Sequence, residues 1–91
     1  MLNINSCRIC GFQYDADYYP WGIDNMTPTY DICVCCGGEF GFDDDIHACG
    51  KPIQAYRSKW INEGAKFGVP SKCPENWNLQ EQLKNISGDF V

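Results

Sequence analysis

Basic residues are scarce in this 91-residue chain, above all in its first half. Residues 1–50 contain one basic residue, Arg8, against eight acidic residues, so this half carries a net charge of −7. Residues 51–91 contain six basic and four acidic residues and carry +2. Binding to phosphate groups requires an excess of Lys and Arg. The charge therefore argues against nucleic acid as a direct partner and favours a basic protein.

Long apolar segments are missing as well. No stretch approaches the roughly 20 apolar residues that span a bilayer. The first residues, MLNINSC, contain neither the basic nor the apolar region of a signal peptide. We therefore expect a cytoplasmic protein without membrane association.

The chain length predicts one small domain, residues 1–91. Within it, residues 1–50 are expected to form an acidic metal-binding lobe, on which a helical segment, residues 51–91, packs. A chain of this size buries only about 60–65% of the surface that its unfolded form exposes. Such domains commonly need a metal, disulfides or a partner for stability, and seven cysteines are available here.

The cysteines form two copies of the pattern Cys-x-x-Cys-Gly, at residues 7–11 and 33–37. Two intervening residues allow both thiolates of a turn to reach one ion, and the following glycine accepts the backbone angles that close the turn. Two such turns supply the four thiolates of a structural zinc site. We predict one zinc ion with ligands Cys7, Cys10, Cys33 and Cys36, and consider iron less favoured. Buried reduced thiols and two disulfides are the alternatives, although an odd cysteine count and a reducing compartment oppose disulfides.

The remaining cysteines and the single histidine are not predicted to be ligands of this zinc site. Cys35 lies inside the second turn and is expected to be a bystander. Cys35, His47, Cys49 and Cys73 could form part of a second site, but lone cysteines usually behave as small buried hydrophobes. A site with four protein ligands has no open position for substrate, and no nucleophile–base pair is visible. We therefore expect no enzymatic activity.

Local patterns predict the secondary structure. Alternating bulky residues on both sides of the second cysteine turn predict a hairpin and a short antiparallel sheet. Ile53, Tyr56, Trp60 and Ile61 share a helical face, with Pro52 in the first turn and Gly64 as a stop. A second short helix is predicted by Leu79, Leu83 and Ile86, with Asn78 and Glu81 as a capping pair. The predicted fold is thus a small α+β domain: a metal-stapled zinc-ribbon-like or rubredoxin-like knuckle pair with a short antiparallel sheet, covered by two C-terminal helices.

Residues 7–15, CRICGFQYD, resemble the first metal knuckle of the rubredoxins. That resemblance implies four thiolates around one iron and a role in electron transfer. It is confined to the first half of the chain, and Val34 stands where the second rubredoxin knuckle has proline.

A second resemblance covers most of the chain. Residues 32–44, ICVCCGGEFGFDD, are similar to the small bacterial cysteine-rich CPCC family, again with Val34 in place of proline. Residues 56–61, 64–66, 74–78 and 82–86 resemble the remainder of that family. Its members occur in polymorphic toxin loci, so the resemblance implies an immunity protein that binds and neutralises a cognate toxin.

Together these patterns predict a zinc-stabilised protein-binding module, an immunity protein directed at a basic toxin domain, most simply a nuclease. Aromatic anchors and acidic side chains would form the partner surface: Tyr18, Tyr19, Trp21, Asp24, Asp43, Asp44 and Asp45. For each aromatic, packing over the metal site is an equally good interpretation. The alternatives are a rubredoxin-like iron electron carrier and a nucleic-acid-binding zinc ribbon. The ribbon would use a basic face of Lys51, Arg57, Lys59, Lys66, Lys72 and Lys84.

Overall fold

Tight turns and short helices build the chain in the computed structural model, which describes residues 4–44 and 52–86. Helix α1 spans Pro52–Asn62, a single 3₁₀ turn spans Pro70–Lys72, and helix α2 spans Leu79–Leu83. Neither α-helix of these two ranges has the length and apolar character needed to cross a bilayer.

The predicted antiparallel sheet is wrong, and with it the predicted fold class. Within residues 4–44 and 52–86 the structure has only two isolated antiparallel bridges, Ser6 with Gln13 and Ile32 with Glu39. Each bridge closes one cysteine turn, and a new turn begins directly after it. The turn that follows the first bridge is closed by a hydrogen bond from Tyr18 N to the carbonyl of residue 15. The turn that follows the second bridge is closed by hydrogen bonds from the N–H groups of residues 42 and 43 to the carbonyl of Glu39. The chain therefore bends away before a ladder of strand pairs can form.

Helix α1 buries the face that its apolar spacing indicates. Ile53 and Trp60 are buried, and Tyr56 and Ile61 pack against the same core while remaining partly exposed. Proline suits the first helical position because its missing N–H has no partner there. After residue 62 the chain is turned by Gly64 and Ala65, both with positive φ, and Ala65 N donates to the carbonyl of Trp60 at 2.9 Å.

Helix α2 is only five residues long and buries a polar side chain. Its N-cap is Asn78, whose side-chain oxygen accepts a hydrogen bond from Glu81 N at 3.0 Å. Gln82 is 8% exposed, whereas Leu79 and Leu83 are only partly buried. An isolated helix of this length is unstable in water. Its persistence therefore depends on what it packs against.

Half of the buried hydrophobic core consists of cysteines. Ten hydrophobic residues in the described part of the chain are buried, and five of them are cysteines. The others are Ile9, Phe40, Ile53, Trp60 and Ala65. Cysteine side chains are small, so burial of apolar area alone supplies limited stability in a chain of this size.

Candidate metal centre

The two cysteine turns have the same backbone hydrogen bonds, which makes them structural copies of one knuckle. In each, the first cysteine N–H donates to the carbonyl five residues later: Cys7 to residue 12 at 3.0 Å, and Cys33 to residue 38 at 2.8 Å. The glycine that follows the second cysteine donates back to the first cysteine's carbonyl at 3.0 Å in both. Gly11 and Gly37 have φ of 81° and 78°, in the region that favours glycine.

The two knuckles face each other and bring four sulfurs together. The Sγ atoms of Cys7, Cys10, Cys33 and Cys36 all lie within 4.8 Å of one another. The Cys7–Cys36 and Cys10–Cys33 sulfur pairs are both 3.8 Å apart. Sulfurs arranged tetrahedrally around zinc at about 2.3 Å are about 3.8 Å apart. The four residues predicted from the two turns therefore form a cluster whose dimensions fit a tetrahedral metal ion.

The same distances exclude disulfides between the facing sulfurs, since an S–S bond is about 2.05 Å long. All described cysteines are free thiols. Disulfide pairing of the two turns is thus not what this structure contains.

The buried cluster does not favour four thiolates by itself. Burial raises the pKa of the Cys7 and Cys10 thiols well above the ordinary value. The pKa of Cys33 is lowered, because the thiols of Cys10, Cys36 and Cys7 donate hydrogen bonds to it. The thiols alone thus favour one thiolate surrounded by donors. Four thiolates in this buried volume require a bound metal, whose charge offsets theirs.

Side chains of the second half cover the first knuckle. The carbonyls of residues 8–11 each accept a hydrogen bond from one of three side chains. Arg57 donates to the first two, Gln82 to the third at 3.0 Å, and Asn85 to the fourth at 3.0 Å. A tight turn cannot pair these carbonyls internally, and buried carbonyls without a partner are costly. Side chains of α1, of α2 and of Asn85, which follows α2, thus complete the hydrogen bonding of the knuckle.

The second knuckle is completed mainly by backbone groups. The carbonyls of residues 34–36 accept, in chain order, from Val69 N at 2.9 Å, Gly68 N at 2.9 Å and the Tyr56 hydroxyl at 3.1 Å. Aromatic rings seal the same region, because Phe67 makes edge contacts with both Phe12 and Trp77. The four sulfur-bearing residues are consequently no more than 7% exposed.

Cys35 and Cys73 lie outside the cluster. Cys35 is fully buried, and its Sγ accepts a hydrogen bond from the Gln82 amide at 3.3 Å. Cys73 is exposed, and its thiol contacts the carbonyl of Pro74. Among the described residues, the four-thiol cluster is the single group of three or more metal-ligating side chains. His47 and Cys49, considered for a second site, lie outside the described residues.

Two residues predicted for partner binding, Trp21 and Asp44, are hydrogen-bonded to each other. Asp44 is fully buried and accepts hydrogen bonds from the Trp21 indole at 2.8 Å and from Gly41 N at 2.7 Å. The Arg8 guanidinium lies 3.8 Å above the Trp21 ring. Asp44 is therefore not available to a partner, because its carboxylate completes this internal stack.

The other residues predicted for partner binding differ in their exposure and in their hydrogen bonds. Asp24 is exposed, but Met26 N and the Thr27 hydroxyl donate to its carboxylate, and these bonds lower its pKa. The Tyr18 hydroxyl donates to Asp31 at 2.7 Å, and its ring packs on the core. Tyr19 and Asp43 are partly buried, and Asp43 accepts from Glu39 N at 2.8 Å. Asp45 lies outside the described residues.

Sequence reasoning missed the two polar residues that hold the helices on the knuckles. Gln82 lies three residues after Leu79, and Arg57 four after Ile53, so each is a polar residue on an otherwise apolar helical face. That mismatch is the sequence signal that could have identified them.

Two residues of the basic face considered for nucleic acid are engaged within the protein. The Arg57 guanidinium donates to backbone carbonyls of the first knuckle. Lys84 forms an ion pair with Glu81, at an N–O distance of 3.1 Å.

Comparison with known proteins places the chain among bacterial relatives. No family model matches it, and no solved structure matches it significantly. It is 31% identical to the uncharacterized protein YoaQ of Bacillus subtilis, over 93% of this chain and 88% of YoaQ. It is 30% identical to the uncharacterized protein YozI of the same bacterium, over 92% of this chain and 78% of YozI. The chain therefore belongs to the protein family that includes YoaQ and YozI of Bacillus subtilis.

Proposed function

We propose that this chain is a zinc-stabilised protein-binding module, and that it acts as an immunity protein against a basic toxin domain. The buried four-thiol cluster at the centre of the core is the observation that carries the proposal. A metal held there by four protein side chains stabilises the fold and leaves no position for substrate. The chain's function would then be carried by its surface.

The metal supplies a crosslink between the two knuckles. Cys7 and Cys10 would hold it from one side, and Cys33 and Cys36 from the other. Because half of the buried hydrophobic residues in the described part of the chain are cysteines, folding and metal binding are expected to be one event.

The surface charge supports a basic partner. Arg8, the single basic residue of the first half, is 5% exposed and donates to the backbone and side chain of Asn25. The guanidinium is thus unavailable to neutralise the acidic surface. Four thiolates and one Zn²⁺ would take the charge of the first half from −7 to about −9. A field of this sign accelerates association with a basic protein and repels nucleic acid.

The proposal predicts that a toxin domain is encoded next to this chain in its own genome, and co-expression with such a domain tests neutralisation. We expect co-expression to protect cells, and the purified proteins to form a 1:1 complex whose association slows as salt is added. A Cys10→Ser variant serves as the unfolded control and should not protect. Absence of both complex and protection would overturn the proposal.

An iron-dependent electron carrier is a second candidate, supported by the four-thiol cluster, which suits iron as well as zinc. Elemental analysis of protein purified from its native host distinguishes the two. A red protein with one iron per chain and a reversible reduction would favour the carrier. A colourless protein with one zinc per chain would exclude it.

A further inference from the structure

Large apolar side chains are exposed in a restricted part of the chain. Five of the six exposed large hydrophobic residues among those described lie between residues 23 and 42. The six are Ile23, Met26, Tyr30, Ile32, Phe42 and Val69. None of the first five is explained by packing, since each is 57–79% exposed.

Three of these residues, Tyr30, Ile32 and Phe42, lie in the two segments that flank the second knuckle. Ile32 pairs with Glu39 across the isolated bridge, opposite the direction in which Cys33 enters the core. The Tyr30 ring covers Gly41: a Cβ on that glycine would lie 2.8 Å from Tyr30 Cε1. Phe42 follows directly. We call this group, with the carboxylates that accompany it, the second-knuckle face; its members are Tyr30, Asp31, Ile32, Glu39, Phe42 and Asp43.

The second-knuckle face is held in place by its backbone. Phe40 is buried and its N–H donates to the carbonyl of Asp31 at 3.0 Å. Phe42 N donates to the carbonyl of Glu39 at 3.1 Å. Tyr30 has φ of 62°, a conformation that costs free energy in a non-glycine residue and persists only where its surroundings impose it. Rigid, exposed aromatic groups lose little entropy when a partner buries them.

The charge of the second-knuckle face indicates which kind of molecule could bind it. Three of the six residues that define the face are acidic, Asp31, Glu39 and Asp43, and none of the six is basic. Two copies of the face would bring like charges together, and a nucleic acid or an anionic bilayer would be repelled. A protein that offers an apolar pocket flanked by Lys and Arg satisfies both the apolar and the acidic groups.

We propose that the second-knuckle face is the docking surface for the basic partner, with Phe42 and Ile32 as apolar anchors and Glu39 as a steering charge. This inference rests on the proposed function and shifts the binding surface away from Trp21 and Asp44, which are engaged internally.

The test measures binding of the full, metal-loaded chain to a catalytically inactive variant of the toxin domain used in the co-expression experiment. Phe42→Ser and Ile32→Ser should each weaken binding about tenfold or more. Val69→Ser, a matched loss of an exposed apolar side chain elsewhere, should stay within about twofold. Glu39→Gln should slow association several-fold at low salt and have little effect at high salt. Melting temperatures of all four variants should match that of the wild type.

Each outcome decides the proposal. If the wild type binds and the face variants bind equally well, the docking surface is wrong while the proposed function stands. If the wild type forms no complex, both fall. A wild-type dimer in solution that Phe42→Ser dissociates would overturn the proposal, because the occupant would then be a second copy of this chain.

Discussion

The side-chain amide of Gln82 lies 3.0 Å from the carbonyl oxygen of Cys10 and donates a hydrogen bond to it. The same amide contacts Cys35 Sγ, and its oxygen accepts from the Trp77 indole at 2.7 Å. One residue of a five-residue helix therefore contacts both knuckles and an aromatic of the covering loop. The docking of α2 and the geometry of the thiol cluster are consequently linked.

Replacing Gln82 should destabilise the metal-loaded protein. Gln82→Ala leaves the buried Cys10 carbonyl without its donor, which costs about 1–3 kcal/mol. Urea unfolding of the zinc-loaded protein measures the change. Gln80→Ala, at an exposed position of the same helix, controls for helix propensity and should change the unfolding free energy by less than about 0.5 kcal/mol. Equal losses in the two variants would contradict the role given to Gln82.

Replacing a cluster cysteine should unfold the protein. Cys10→Ser and Cys36→Ser each remove one of four thiolates, and structural zinc contributes on the order of 10 kcal/mol to such folds. Circular dichroism and elemental analysis should show loss of both helix and metal. Cys35→Ser and Cys73→Ser should retain one metal ion per chain. The metal assignment is wrong if Cys10→Ser and Cys36→Ser keep the wild-type melting temperature.

A methyl group at Gly11 should disrupt the contact between the first knuckle and α2. A Cβ there would lie 2.3 Å from the carbonyl oxygen of Gln82, and φ is 81°. We expect Gly11→Ala to cost about 1–2 kcal/mol for the backbone and a further 1–3 kcal/mol, roughly, for overpacking.

Gly64→Ala is the matched control for that experiment. Its φ is also positive, at 105°, but the new methyl would meet only the flexible Lys66 side chain, at 3.6 Å. It should therefore show the backbone cost alone in thermal unfolding. A larger loss in Gly64→Ala than in Gly11→Ala would contradict the predicted clash.

Asp44 is predicted to be structural. Asp44→Asn retains one acceptor oxygen and places an amide against the second donor, which costs about 1–3 kcal/mol. Asp17→Asn, at an exposed position, is the control and should be nearly neutral. Binding of the partner by a folded Asp44→Asn protein should be unchanged, and a selective loss of binding would return Asp44 to the partner surface.

The stability difference between wild type and Asp44→Asn should depend on pH. Burial raises the pKa of Asp44, so the folded wild type holds this proton more tightly than the unfolded chain. Wild-type stability from this group is therefore greatest below the ordinary carboxyl pKa and falls as pH rises through the raised one. The variant lacks this titration, so its deficit should shrink as pH rises. Comparing two proteins with the same metal site cancels the acid sensitivity of thiolate coordination, and chemical unfolding over a pH series measures the difference.

Several features could be predicted because they depend on local spacing. Each of the two Cys-x-x-Cys-Gly turns supplies two sulfurs, and a tetrahedral metal site takes four. The spacing alone therefore identified Cys7, Cys10, Cys33 and Cys36 as a group. The apolar face of α1 followed from its 3.6-residue period. The sheet was wrong because alternation predicts an extended segment but not the length of its pairing. Turns closed by hydrogen bonds to the carbonyls of residues 15 and 39 end that pairing after one bridge.

The sequence by itself determined the four-thiol group, the acidity of the first half and the position of α1, since each depends on neighbouring residues or on simple counts. The tertiary structure alone decided that Arg57, Gln82 and Asn85 complete the first knuckle, because these contacts join residues 48 to 74 positions apart. It also decided which aromatics are exposed. Trp21 and Phe42 are both large aromatic residues of the acidic first half, but Trp21 contacts the Arg8 guanidinium and the buried Asp44 carboxylate, whereas Phe42 remains 72% exposed.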